Sequence, residues 1–198
     1  MDKQIVISIG REFGSGGYRI GKQLAEKLGF DFFDRNLLDE IACQMGVDTN
    51  DLSKYDEKPK SRLFSRTVRG MSNSPEQNIA EMQFALLKSK AADGDSFVVV
   101  GRCADEIFDG ICDVVSIFIT ASDEDKIKEI TEQFGVSEAE AKKKMVRHDK
   151  KRRAYHDYFC KKPWGQVKSY DLCLNASVLG LEGTVNLIYE YVKQRLEK

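Results

Sequence analysis

Residues Gly10–Gly21 read GREFGSGGYRIG and follow directly on the apolar run QIVISI of Gln4–Ile9. Four of the first eight are glycine (Gly10, Gly14, Gly16, Gly17), and Ile20, Leu24 and Leu28 then recur at helical spacing until Gly29 stops the pattern. The short β-branched run before the glycines is typical of a strand buried on both faces. Strand, glycine-rich turn and helix in succession make an anion site. Unpaired N–H groups point outward from the helix start, and the helix dipole favours negative charge there.

Working outward, Phe30–Asp34 (FDFFD), Ser96–Gly101 (SFVVVG), Asp113–Ser122 (DVVSIFITAS) and Tyr170–Ser177 (YDLCLNAS) supply further short strands. Helices are predicted between them. RNLLDEIACQMG ends at Gly46, and Ser74-Pro75-Glu76 opens a helix running to about Asp93-Gly94. Ser122 with Asp125, and Ser137 with Glu140, fit the capping-box spacing. Val185, Ile188, Val192 and Leu196 stripe a closing helix. Alternation of strands and helices predicts an α/β three-layer sandwich around a mainly parallel central sheet.

Composition bounds the rest. At 198 residues, 41% hydrophobic and 32% charged, the chain suffices for one well-buried core, expected as a single domain over 1–198. The net charge of -1 gives no global pull toward nucleic acid or membrane. No apolar stretch reaches the roughly 18 residues of a membrane span. MDKQIVISIG opens straight into a strand, with no signal-peptide pattern. Cys43, Cys103, Cys112, Cys160 and Cys173 are scattered with no CxxC pair, so they are expected as reduced thiols in a cytoplasmic protein.

Two ligand classes compete for the glycines. Gly10, Gly14 and Gly16 fit GxxxGxG, a dinucleotide spacing. Asp34 stands where a ribose-binding acid belongs, and Tyr158 with Lys162 makes a YxxxK pair. That is the NAD(P)-binding oxidoreductase alternative. The other class is phosphoryl transfer. Against GxxxxGK[ST], Gly16 fits, Gly17 replaces the lysine, and Tyr18 or Arg19 replaces the metal-holding hydroxyl. The loop alone leaves both open.

Three segments, in order, carry a resemblance that covers nearly the whole chain. ISIGREFGSGGYRIGKQLAEKLG, FVVVGRCADEIF followed by VSIFITAS, and VRHDKKRRAYHDYF before SYDLCLNAS resemble the loop, the Gly-Arg turn and the arginine-rich lid of the cytidylate kinase-like family, a branch of the nucleoside monophosphate kinases. The resemblance implies a P-loop nucleotide kinase-like fold with an acceptor-binding insert at about 35–93 and a helical lid at about 137–168. It implies ATP and Mg²⁺, and a CMP-like nucleoside monophosphate as acceptor.

Carried over residue by residue, Gly14, Ser15, Gly16, Gly17 and Tyr18 would bind donor phosphates. Arg102 matches an arginine that contacts the acceptor, its competing role being an ion pair with Asp105 or Glu106. Val100 stands where those kinases carry an acid. Asp34 and Arg35 begin the acceptor region, where Asp34 would hold the acceptor or magnesium or serve equally as a helix cap. Arg62, Arg66 and Arg69 lie in the insert. Arg147, Arg152 and Arg153 belong to the lid, and with the donor lysine absent Arg11 or Arg19 is expected to supply its charge. No ligand for the metal is assigned. His148 and His156 are expected on the helix surface, and Trp164 in packing at the lid's exit. A nucleotide-binding protein without turnover is the third alternative.

Overall fold

The structure is a computed structural model that describes residues 4–34, 36–58, 67–68, 71–72 and 74–197. Its centre is the strand β1 (Ile5–Arg11), which runs into the glycine loop and then into α1 (Gly17–Leu28). Next come β2 (Asp31–Phe33), α2 (Leu37–Met45) and α3 (Thr49–Ser53). A small hairpin of β3 (Thr67–Val68) and β4 (Met71–Ser72) precedes α4 (Pro75–Ala92). Then follow β5 (Phe97–Val100), α5 (Ala104–Ile107), β6 (Asp113–Thr120), α6 (Asp123–Phe134) and α7 (Glu138–Phe159). The chain closes with β7 (Leu172–Asn175) and α8 (Ala176–Leu196).

The main sheet has the order β2-β5-β1-β6-β7, and every pairing in it is parallel. Alternation along β1 explains how it is covered on both sides. Ile5, Ile7 and Ile9 face α1 and α8, in one core with Ile20, Leu24, Ile188 and Val192. Val6, with Phe97 and Val99 of β5, faces the opposite layer and meets Leu37, Leu87 and Phe108. All three isoleucines are completely buried, each contributing about 1.5–3 kcal/mol of transfer free energy. α2, α3 and α4 form a smaller core of their own around Leu38, Ile41, Leu52 and Ile79.

The caps are those of the sequence pattern. Gly29, Gly46 and Gly135 end α1, α2 and α6 in the left-handed conformation. Ser122 accepts from the Asp125 amide, and Ser137 with Glu140 forms a complete capping box. α3 and α5, of five and four residues, are too short to show a period and were not predicted. α8 carries a break at Gly180, whose φ of 65° and ψ of -177° lie outside the helix.

Strand order decides between the two ligand classes. β1 lies between β5 and β6, with β2 at the sheet edge beyond β5. A dinucleotide-binding sheet keeps its first two strands adjacent. The nicotinamide alternative is therefore disfavoured: the glycines resemble its spacing, but the sheet around them is wound differently. Among the described residues no helix is long and apolar enough to cross a membrane.

Candidate functional site: a glycine loop beside an arginine cluster

The loop opens at the carboxyl end of the central strand, where ligands of open parallel sheets bind. Gly14 has φ 84°, and a Cβ there would come 2.8 Å from the Lys126 carbonyl oxygen. Gly16, at φ 77°, caps α1, and Gly17 is pressed against the Cβ of Arg11, 2.6 Å from where its own Cβ would stand. Ser15 is consumed internally, its hydroxyl donating to the Glu12 carbonyl at 2.9 Å. Among the described residues the amides of Gly16, Gly17, Tyr18 and Arg19 meet no protein acceptor. They are the open donors of a helix start.

Other elements hold this loop from both sides. The Glu12 carboxylate accepts from Thr120 Oγ1 at 2.5 Å and from Lys126 Nζ at 2.8 Å. From α7, Asp149 accepts the Phe13 amide at 2.7 Å, and His148 stacks on the Phe13 ring at 4.1 Å. The Arg152 guanidinium lies over the same ring at 5.5 Å and donates to the Arg11 carbonyl at 3.4 Å.

Beside the loop the chain gathers three arginines and two acids. The turn after β5 takes positive φ at three successive residues, Gly101, Arg102 and Cys103 (80°, 62° and 53°). For the two residues that carry a Cβ this is a costly conformation, of a kind that collects at functional sites. It turns the Arg102 side chain inward, where both terminal nitrogens hold Asp56, at 2.6 and 3.0 Å. The competing role of Arg102, a surface ion pair with Asp105 or Glu106, is not the one it takes: Arg102 is buried, and its partner comes from the segment after α3. Glu57 sits next to it, 2.9 Å from Arg11 Nη2, 3.6 Å from Arg102 Nη1 and 3.8 Å from Arg152 Nε. Burial alone pushes the Glu57 carboxyl up, but Arg11, Arg102 and Arg152 together hold it far below the usual carboxylate range. Burial, followed by the charge of Arg11, pulls Arg152 down to about 10.

An open cleft of about 380 Å³ joins the two regions, lined among others by Arg11, Gly16, Gly17, Arg19, Asp34 and Arg152. A second hollow of about 270 Å³ continues past Gly14 and Arg19 toward Ala121, Ser177 and Leu181. Arg19 stands over the loop, 4.0 Å from the Cβ position of Gly16, and pairs with Glu129 at 2.7 Å. Arg11 instead points to the arginine cluster, against Gly101.

The remaining expected residues divide clearly. Asp34 lines the cleft and accepts the Asn36 amide at 3.0 Å, so it serves the turn before α2 as well. Tyr18 is exposed, its ring edge-on to Phe32. Arg147 is exposed, while Arg153 is exposed and lies 5.3 Å over the Trp164 ring, away from Glu57. Trp164 is buried against Phe118. Arg35, Arg62, Arg66 and Arg69 lie outside the described residues. His156 corrects its expectation: it is buried, not on the helix surface, because α7 packs its last two turns against the turn after β5. Glu12, Asp56 and Glu57 were missed. The available signal was an acidic pair, Asp56-Glu57, in a segment otherwise basic.

An all-parallel sheet of this strand order, with a glycine loop opening from its central strand, defines a P-loop kinase-like α/β protein. The chain belongs to the cytidylate kinase-like family, whose model matches residues 6–178. It is similar to a solved uncharacterized protein from Eubacterium ventriosum, with 32% identity, a TM-score of 0.76, and 96% and 99% of the two chains covered. It is similar in fold to a shikimate kinase from Bacteroides thetaiotaomicron (15% identity, TM-score 0.57, 96% and 98% covered). A putative kinase from Chloroflexus aurantiacus shares the fold as well (13% identity, TM-score 0.56, 100% and 98% covered). Comparison with curated proteins finds no match.

Proposed function

We propose that this protein transfers the γ-phosphate of ATP to a CMP-like nucleoside monophosphate. The observation that carries the reading is the row of open amides from Gly16 to Arg19, facing the same cleft as Arg11 and Arg152. Those amides would bind the donor's phosphates, and Arg19 would neutralise them from above. Arg11 and Arg152 stand at the border between loop and arginine cluster, where charge on a transferring phosphoryl group has to be met. Arg102 acts one step back, ordering the turn that shapes the acceptor side.

No serine or threonine opens α1, so the usual hydroxyl for Mg²⁺ is missing. Among the described residues Asp34 is the carboxylate on the cleft with no cation beside it, and it would take the metal. Mg²⁺ supplies charge neutralisation on the phosphate oxygens. The rest of the work, positioning and exclusion of water, falls to this chain's own residues. On this reading the chain is one domain. The insert at about 35–93 receives the acceptor, and the lid at about 137–168 closes over the transfer. A cytoplasmic location fits the five free thiols.

Glu57 favours a second reading. Its carboxylate already occupies the arginines that a phosphate would need. If it never leaves, the protein is a nucleotide-binding protein without turnover. A thermal-shift panel of nucleotides with and without Mg²⁺, followed by product analysis, tests both. Stabilisation by ATP or a cytidine nucleotide and not by NAD or NADP, with formation of a nucleoside diphosphate, is the expected result. Tight ATP binding with no transfer to any nucleoside monophosphate would leave the second reading.

A further inference from the structure

Between the arginine cluster and the end of α7 lies a small cavity of about 30 Å³, walled on one side by Arg11, Glu57, Arg102 and Arg152, whose far side the proposed phosphoryl transfer does not use. Asp105, from the first turn of α5, lines it together with His156 from the end of α7. Cys160 caps α7 one helical turn beyond His156, on the same side. One ligand atom from each of Asp105, His156 and Cys160 lies within 4.8 Å of the others. The imidazole is 91% buried, its side-chain exposure being 9%, and although Asp105, Asp157 and Cys160 surround it, neither ring nitrogen meets any of them at hydrogen-bond geometry. An unpaired buried imidazole is costly, and a site that leaves it so calls for a missing partner.

We infer that Asp105, His156 and Cys160 form a site for a divalent transition metal of the zinc type. The donor set is right for that ion: one thiolate, one imidazole and one carboxylate. Donor atoms around a tetrahedral zinc stand about 3.3–3.8 Å apart, so the side chains close on the ion with small rotations. The ring orientation agrees as well. Nε2 faces Asp105 Oδ2 at 4.0 Å, while Nδ1 faces Asp157 Oδ1 at 3.5 Å. Nε2 is then the ligating nitrogen, and Nδ1–H turns to a carboxylate, as metal-bound histidines ordinarily do. The Cys103 thiol lies against Cys160. Of the arginines that line the cavity, Arg102 has its charge taken up by Asp56, and Arg11 and Arg152 face Glu57. The bound metal fastens the end of α7 to the turn after β5, and so holds the helix that carries Arg152.

The test uses the full chain, stripped of metal with a chelator and titrated with Zn²⁺ and then Co²⁺ under reducing conditions. One equivalent of zinc is expected, with a rise in melting temperature, and the cobalt form should show thiolate-to-metal charge-transfer absorption. Cys160→Ser and His156→Gln should bind at least about a hundredfold more weakly, since even outer-shell partners are worth about ten- to a hundredfold. Cys173→Ser, at an exposed thiol elsewhere, should bind as the wild type does. Equal affinity of the wild type and Cys160→Ser would overturn the site, as would a cobalt spectrum without the thiolate band. Intact mass reporting a Cys103–Cys160 disulfide in the purified, metal-free protein would overturn it too. Because the readouts are metal content and spectrum, the result does not depend on phosphoryl transfer.

Discussion

Arg102 holds the Asp56 carboxylate with both terminal nitrogens, and the two side chains are 0% and 7% exposed. A buried ion pair adds little net stability against an apolar replacement, but losing one partner strands the other charge. Asp56→Ala should therefore destabilise the protein by about 3–5 kcal/mol, read from urea unfolding. A loss below about 1 kcal/mol would mean that solvent reaches Arg102 and the pair is effectively on the surface.

Glu57 makes acid stability a readable quantity. Its folded pKa lies below the ordinary 4.5, so its contribution is full above that value and drains as the pH falls toward the folded one. Wild-type protein should lose more stability between about pH 5 and about pH 3 than Glu57→Gln, whose amide does not titrate. Parallel curves would show that the three arginines do not act on this carboxylate.

The same variant tests whether Glu57 plugs the site. Glu57→Gln leaves Arg11 and Arg152 uncompensated, and inorganic pyrophosphate should bind it about tenfold more tightly than the wild type, about 1.4 kcal/mol. Unchanged pyrophosphate affinity by calorimetry would place the anion elsewhere than on these arginines.

Arg11 and Arg19 stand at different ends of the loop, so their alanine variants should separate kinetically. Arg11→Ala should lower kcat at least about tenfold with KM for ATP little changed, because Arg11 faces the transfer point. Arg19→Ala, over the donor loop, should chiefly raise the KM for ATP. The reverse split would exchange their roles.

Gly16 has open space where a Cβ would stand, but its φ is 77°. Gly16→Ala should cost about 1–2 kcal/mol of stability from backbone strain and, by crowding the open amides, weaken ATP binding. Gly17→Ala, driven into the Arg11 Cβ at 2.6 Å, should be the more destabilising of the two. Equal melting temperatures for the two variants would mean that the loop relaxes freely.

The local half of this molecule was written in the sequence. Apolar period, glycine stops and the Ser137–Glu140 capping box each act within a few residues, so β1, α1, the loop and most helix ends could be placed before any contact was known. What the glycines serve was not local. GxxxGxG and the P-loop frame overlap in Gly10–Gly17, and only the insertion of β5 between β1 and β2 separates them. Arg102 was visible as a site residue, but its partner Asp56 is 46 positions away and reaches it only through the packing of the insert. His156 and Cys160 stood four apart in plain view, yet Asp105 is brought to them by the turn after β5, 51 residues from His156 in the chain. Side-chain charge and hydrogen-bonding capacity are properties of a residue, whereas burial and choice of partner are properties of the fold. The sequence could therefore name the arginines, and only the tertiary structure could say which of them face a phosphate and which already face an acid.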